Sequence, residues 1–311
     1  MKKACVVVIN WNLRDLLKKC LNSLKKTSYS NLEILVVDNG SEDGSVEMVE
    51  REFPDVWLIK NSSNLGFVKA ANQGIDFAFK KLKVDYVVVS NNDVEYTQKD
   101  WLKKLIKIAE SRKSIGRVSC ISFKPDGEME DTIIKVTPLY EIHEKMNSEL
   151  MEVGDKRLAA DTGVLKREVF EKIGGFDENF LIIGGEVEDY LIRMKRAGFK
   201  ALRTSKVKFL HHSGASTKNL PSLSLYFAWT RNKIYFSALN LPWHWVFGRL
   251  LLYFLAIFLR TENGHIMLRK KEKKERYLLF TKALFWNLRK FKEILRKRFN
   301  RTMKIDIVAE K

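Results

Sequence analysis

The apolar run Tyr86-Val87-Val88-Val89 stops at Ser90-Asn91-Asn92-Asp93, and no other point of the chain is as chemically loaded. A β-branched run of this length reads as a buried parallel strand. Its last residues then stand at the carboxyl edge of a sheet, where open α/β folds bind their ligands. A carboxylate there, Asp93, suits a hard divalent cation, and such a cation suits a diphosphate. Asn and Asp also favour plain turns, so the junction alone does not establish a site.

Two further clusters carry reactive side chains. Gly184-Gly185-Glu186-Val187-Glu188-Asp189 places three acids at the start of a helical pattern over 186–197 that stops at Gly198. One carboxylate in such a place can take a proton from an attacking hydroxyl. The same acids also suit the positive end of a helix. His211-His212 follows a short strand over 207–210.

The elements that must position these residues follow from periodicity. Residues 4–9, 32–37, 56–59 and 86–89 read as strands, and 13–26, 44–52 and 70–82 as helices. The second strand ends at Asp38-Asn39-Gly40-Ser41. Asn64, Gly66 and Lys69 lead into the third helix, where a glycine admits close backbone approach and a helix start favours an anion. Strand–helix alternation at this spacing predicts a doubly wound, mostly parallel sheet with right-handed crossovers. Beyond Ser111 short strands and turns such as Pro125-Asp126-Gly127 dominate to about 165. A helix over 167–173 and the turn Gly174-Gly175-Phe176-Asp177 follow.

The net charge of +18 is unevenly spread. Residues 261–311 hold 16 Lys and Arg against 6 Asp and Glu, so ten of those charges lie in the last 51 residues. Such asymmetry points to an anionic surface, and no nucleic-acid recognition motif accompanies it. Residues 243–259 are nearly all apolar but short for a span, and Arg249 interrupts them. Arg249, Tyr253, Ala256 and Arg260 share one narrow helical face. Tyr277, Phe280, Leu284, Leu288, Phe291 and Leu295 form a second stripe among Lys and Arg. This is the composition of in-plane helices attracted to acidic lipid; two amphipathic helices packed on the body fit the same pattern. Cys5, Cys20 and Cys120 form no CxxC, and an odd count favours a reducing cytoplasm. The apolar stretch 4–9 is too short for a signal-peptide core.

Taken in order, Val6 to Asn12, Val36 to Ser41, Asn64 to Phe67, Ala71 to Gly74 and Ser90 to Asp93 resemble the motifs of family 2 glycosyltransferases. Asp161-Thr162-Gly163, Gly174 to Glu178, His211 to Ser216 and Arg231-Asn232 extend the resemblance over about 4–237, and the nearest subgroup is rhamnosyltransferase-like. The resemblance implies a GT-A fold: a Rossmann-like α/β sheet flanked by helices, here followed by C-terminal amphipathic helices. It implies nucleotide contacts at Asn10, Asp38, Asn64, Lys69 and Asn92. It implies Mg²⁺ or Mn²⁺ held by Asp93, assisted by Asn91 and His211, with His212 as the rival histidine. The family base is generally the first Asp of Glu-Asp-x-Asp, a place that Val187 takes here. Asp189, then Glu188, then Glu186 are the alternatives.

The expectation is an inverting enzyme that moves a sugar from a uridine or deoxythymidine diphosphate donor to a glycan or lipid-linked saccharide. It comprises a GT-A domain over 1–240, with a nucleotide half (1–110) and an acceptor half (111–240). A basic tail (241–311) meets the inner face of the cell membrane, and no nucleic acid is bound. A sugar nucleotidyltransferase would need a Gly-rich, Arg-containing loop where Asn10-Trp11-Asn12-Leu13 stands. A non-catalytic scaffold has Val187 as its support.

Overall fold

The computed structural model describes residues 1–129, 133–136, 141–144, 148–153, 156–158, 162–181, 184–212, 221–262, 265–268 and 272–309. Side chains are described outside 130–147, 154–161, 182–183, 213–220, 260–271 and 302–311. Asp161 and the segment 213–216 therefore lie outside the described residues.

The first half runs β1 (Ala4–Asn10), α1 (Arg14–Lys25), β2 (Leu32–Asp38), α2 (Ser45–Glu52), β3 (Trp57–Lys60), α3 (Phe67–Lys80), β4 (Tyr86–Asn91), β5 (Val94–Tyr96), α4 (Trp101–Glu110) and β6 (Ile115–Phe123). Then come β7 (Ile133–Val136), β8 (Glu141–Glu144), β9 (Leu150–Glu152), β10 (Lys156–Leu158), β11 (Gly163–Lys166), α5 (Arg167–Ile173), α6 (Glu186–Arg196) and β12 (Lys200–His211). The chain ends with α7 (Ser222–Asn240), α8 (Trp243–Leu255), β13 (Leu259–Glu262), β14 (His265–Leu268), α9 (Lys273–Arg289) and α10 (Phe291–Ala309).

The main sheet has the order β3-β2-β1-β4-β11-β6-β12-β5, with β9 also on β12. β3, β2, β1 and β4 are mutually parallel. β11 enters antiparallel between β4 and β6. Every residue of β1 is buried because both faces of the sheet are covered. Val7 and Ile9 belong to the core that also holds residues of α3, α6 and α7, whereas Val6 and Val8 belong to the core with α1, α2 and α4. Each such valine contributes about 1.5–3 kcal/mol on burial. α1 buries Leu17, Cys20, Leu21 and Leu24, one stripe at helical spacing. α3 lies so close to β1 that a Cβ on Gly74 would stand 2.1 Å from Val7 Cγ1.

Three expectations need correction. The strand expected over 207–210 is neither so short nor the last: β12 spans twelve residues, with a register shift between Thr204 and Lys208, and β13 and β14 follow it. Its charged residues disguise it, since Arg203 is wholly buried while Lys206 and Lys208 reach solvent. Arg260 does not share a helix with Arg249, because α8 stops at Leu255 and Arg260 lies on β13. The stripe Tyr277 to Leu295 is not one helix, for the chain breaks at Lys290 between α9 and α10.

The C-terminal helices lie against α7. Ile234 of α7, Ile257, and Phe280 and Ala283 of α9 form a small core of their own. Outward they expose Phe247, Leu251 and Leu255 on α8, Phe285 and Leu288 on α9, and Phe291, Leu295 and Phe299 on α10. Among the described residues, no helix is long and apolar enough to cross a membrane.

Candidate active site

The carboxyl edge of β1, β2 and β4 is knit by amides. Asn10 ends β1 fully buried, and its Nδ2 donates to Asp38 Oδ2 at 2.8 Å and to Ser41 Oγ at 3.1 Å. Its Oδ1 accepts from Asn92 Nδ2 at 2.6 Å, and the same amide of Asn92 donates to the Asn12 carbonyl at 2.8 Å. Parallel register makes this possible, because Asn10 stands directly beside Asp38. Asp38 accepts in addition from the Gly40 and Ser41 amides and from Ser41 Oγ. The carboxylate thus holds its own turn. Gly40 is required there: its φ is +77°, and a Cβ would stand 2.7 Å from Ser63 Cα.

Asn64 joins this edge through Asn39, whose Nδ2 donates to Asn64 Oδ1 at 2.9 Å. Asn64 also accepts from the Gly66 amide at 2.8 Å, setting the entry into α3. Gly66, at φ +85°, has open space where a Cβ would be. Lys69 is exposed on the first turn of α3.

Asp93 follows β4 and is 4% exposed. Its Oδ1 is buried without a hydrogen bond, and His211 Nε2 lies 3.4 Å from it. The antiparallel pairing of β5 with β12 sets His211 opposite Val94 and so beside Asp93. His212 turns the other way, 2.7 Å from Glu95 Oε1, while its amide donates to the Asp93 carbonyl. Asn91 is exposed at the strand end. No group of three or more His, Cys, Asp or Glu side chains converges as a metal cage among the described residues. A buried carboxylate oxygen and an imidazole nitrogen 3.4 Å apart are donor types that fit a cation whose other ligands are diphosphate oxygens and water.

The three acids of α6 are not equivalent. Asp189 is wholly buried, and both its oxygens are taken. Arg193 Nε donates to Oδ2 at 2.9 Å, Arg301 Nη1 to Oδ1 at 2.6 Å, and Asn240 Nδ2 to Oδ1 at 3.0 Å. In this structure the acid ranked first from the sequence, Asp189, is thus a carboxylate closed to solvent between two guanidinium groups. Glu188 is buried, and its Oε2 accepts from the Gly185 amide at 3.1 Å, capping the helix. Glu186, at the first position of the helix, is half-buried. Gly184 and Gly185 precede it at φ +89° and +101°.

The turn before α6 is tied to both halves of the chain. Asn72 of α3 accepts from the Phe176 amide at 2.8 Å and donates to its carbonyl at 3.0 Å. Arg193 donates to the carbonyls of Ile173 and Gly175. Asn232 bonds both the amide and the carbonyl of Leu181, and Arg231 donates to the Asn179 carbonyl. Burial against Trp286 pushes the Arg231 guanidinium down to about 10.

The family model described as glycosyl transferase family 2 matches residues 5–174, more than half of the chain. The chain belongs to glycosyl transferase family 2. A second model, described as the N-terminal domain of galactosyltransferase, matches residues 157–214. The family 2 chain is 28% identical over 229 residues to the O-antigen biosynthesis protein RfbC of Myxococcus xanthus, covering 70% of the chain but only 18% of that protein. It is 24% identical over 245 residues to the N-acetylglucosaminyl-diphospho-decaprenol L-rhamnosyltransferase of Mycobacterium tuberculosis, covering 71% of the chain and 79% of that enzyme. Among solved structures it resembles the mannosyltransferase PcManGT of Pyrobaculum calidifontis in complex with GDP-Man and Mn²⁺ (TM-score 0.54, 15% identity, 99% of the chain and 85% of the other). It also resembles GalNAc-T7 with UDP, GalNAc and Mn²⁺ (TM-score 0.60, 14% identity, 94% and 58%). At such identities the likeness shows the shared GT-A fold.

For this family 2 chain, the sequence pattern pointed to none of Asn179, Tyr235, Asn240, Lys297 and Arg301 as site-building residues. Tyr235, Asn240, Lys297 and Arg301 join the acids from helices more than 50 positions away, and Asn179 bonds Asp177 from within the same turn. The one trace in the sequence is the spacing of Lys297 and Arg301, four apart on the same helical face.

Proposed function

We propose that the chain transfers a sugar from a nucleoside-diphosphate sugar to an acceptor hydroxyl in one inverting displacement. The observation that carries this reading is the unsatisfied, buried Asp93 Oδ1 facing His211 beside the Asn10–Asp38–Asn92 cluster. The cluster offers the nucleoside a rigid edge of amides, and Asn64 with the start of α3 offers hydrogen-bond donors to phosphate. Asp93 and His211 would hold Mg²⁺ or Mn²⁺, and that ion would offset charge on the departing diphosphate.

Glu186 is the base in this reading. Asp189 is wholly buried between ion pairs and Glu188 is buried as the helix cap, whereas Glu186, on the first turn of α6, is only half-buried. It takes the proton of the acceptor hydroxyl as that oxygen bonds to the anomeric carbon and the bond from that carbon to the diphosphate breaks. Val187, at the family's place for the base, is partly buried against the main core and takes no part.

The donor is UDP- or dTDP-linked and the acceptor a glycan or lipid-linked saccharide. A relative named for action on a decaprenyl-linked sugar supports the latter. So do the exposed apolar residues of α8, α9 and α10, set among lysines and arginines, which suit the cytoplasmic face of an anionic membrane. The test is transfer from a panel of nucleotide sugars with Mn²⁺ to lipid-linked saccharides. Turnover lost in Asp93→Ala and in Glu186→Gln supports the reading, and an unaffected Glu186→Gln removes the base assignment. Equal binding to acidic liposomes by the full chain and by a variant carrying Phe291→Ser, Leu295→Ser and Phe299→Ser sinks the membrane assignment.

A further inference from the structure

We propose that Lys297 and Arg301 of α10 are positioning residues for the acids of α6, acting through Asp177 and Asp189. The inference rests on the reading of α6 as the element that bears the base. Arg301 spans the two carboxylates: Nη1 is 2.6 Å from Asp189 Oδ1, and Nη2 is 3.3 Å from both Asp189 Oδ2 and Asp177 Oδ2. Lys297 Nζ reaches both oxygens of Asp177 at 2.8 and 2.9 Å. Both carboxylates are buried, with side chains 6% and 0% exposed. Tyr235 Oη and the Asn179 amide complete the shell of Asp177. Arg193 then carries the network from Asp189 back to the Ile173 and Gly175 carbonyls.

The network encloses the start of α6 from two sides. Asp177 belongs to the turn that leads into the helix, and Asp189 sits one turn inside it. Between them Gly185 packs under Phe180, whose ring would be 2.6 Å from a Cβ there. A shift of the turn therefore moves Phe180, and Phe180 moves the residue that precedes Glu186. On the open side lies a cleft of about 370 Å³, lined in part by Gly175, Asp177, Glu178, Lys297 and Arg301, so ion pairs rather than close packing hold the turn there. Geometry separates the two cations' roles. The Arg301 guanidinium fork bridges the carboxylates of the turn and of α6, whereas the Lys297 ammonium stays on Asp177 of the turn and Glu293 of its own helix and does not reach Asp189. Their sides of α10 are distinct from its solvent face, where Phe291, Leu295 and Phe299 are exposed.

Amide hydrogen exchange on the full chain tests this without a substrate. Arg301→Ala is expected to speed exchange at least tenfold across 174–181 and 184–196 while β1, β2 and β4 keep their protection. Arg301→Lys restores it only in part, and Lys297→Ala loosens 174–181 more than α6. Unchanged exchange in these segments, or faster exchange spread equally over the sheet, overturns the proposal. Should Arg301→Ala not fold, Arg301→Lys and Lys297→Ala carry the same readout. In transfer assays Arg301→Ala should lower kcat at least tenfold while the thermal shift given by UDP or dTDP with Mn²⁺ stays as in the unaltered chain. A parallel loss of that shift counts against positioning. If the unaltered chain transfers no sugar from any donor, the function falls while the exchange result still decides the network.

Discussion

The two sides of the candidate site are held by different forces. On the donor side Asn10, Asp38, Asn39, Asn64 and Asn92 bond one another through short amide and carboxylate contacts at the ends of paired strands. On the acceptor side Asp177 and Asp189 are held by cations from a helix more than 100 positions later. The first arrangement follows from strand register and is nearly independent of charge. The second depends on the C-terminal helices and on the protonation of carboxylates, and burial protects it from salt screening. The edge proposed for the donor is thus built into the sheet, whereas the edge proposed for the acceptor is held by the C-terminal helices.

The largest expected effect lies on the donor side. Asp93→Ala should lower transfer by about 10³-fold or more. It should also abolish any Mn²⁺-dependent rise in melting temperature, with the fold intact by circular dichroism. Retained turnover would remove this edge from the chemistry.

Next comes stability on the acceptor side. Asp189→Ala strands Arg193 and Arg301 in a buried site and should cost about 3–5 kcal/mol in urea unfolding. The matched change on the donor side, Asn92→Ala, leaves only neutral partners unpaired and should cost about 1–3 kcal/mol. Equal costs would erase the contrast between the two sides.

Gly175→Ala probes the hinge between them. Its Cβ would stand 2.4 Å from Asn72 Oδ1 and displace the amide that bonds Phe176. A loss of about 1–3 kcal/mol is expected, with nucleotide binding retained by calorimetry.

The smallest effect is on pH dependence. A hydrogen bond from Lys290 holds the Glu293 carboxyl down at about 2, against the opposing pull of burial and with help from Lys297 and Asn179. Burial pushes the Asp177 carboxyl up, but Lys297, the Asn179 amide and Tyr235 outweigh it and leave it below the usual range. Both carboxyls titrate lower when folded, so their stabilisation is full above the ordinary carboxyl range near pH 4 and is lost as pH falls toward about 2. Melting temperature should drop over that window, and less steeply in Lys297→Ala. An unchanged slope would detach Lys297 from both acids.

Much of the donor side was legible before any coordinates. The β-branched runs that end in Asn and Asp, with helical stripes between them, specify parallel strands whose polar ends share one edge. Asn10, Asp38, Asn92 and Asp93 do share it, and His211 joins them. The acceptor side was legible only as residue types. Three acids on one helical turn look alike in sequence, yet one pairs with two arginines, one caps the helix and one keeps contact with solvent. β12 was half hidden because Arg203 and three lysines mask a strand that the sheet buries on one face.

The chain's own order of residues determined the α/β alternation, the place of the ligand edge and the basic, aromatic character of the last 51 residues. Those features are local, and periodicity and turn chemistry express them within a few residues. Tertiary structure alone decided which histidine faces Asp93, how deeply each acid of α6 is buried and what the C-terminal helices do on their inner side. Each of these depends on contacts across 50 to 120 positions, where burial and the pairing of charges, and no short-range pattern, select the partner.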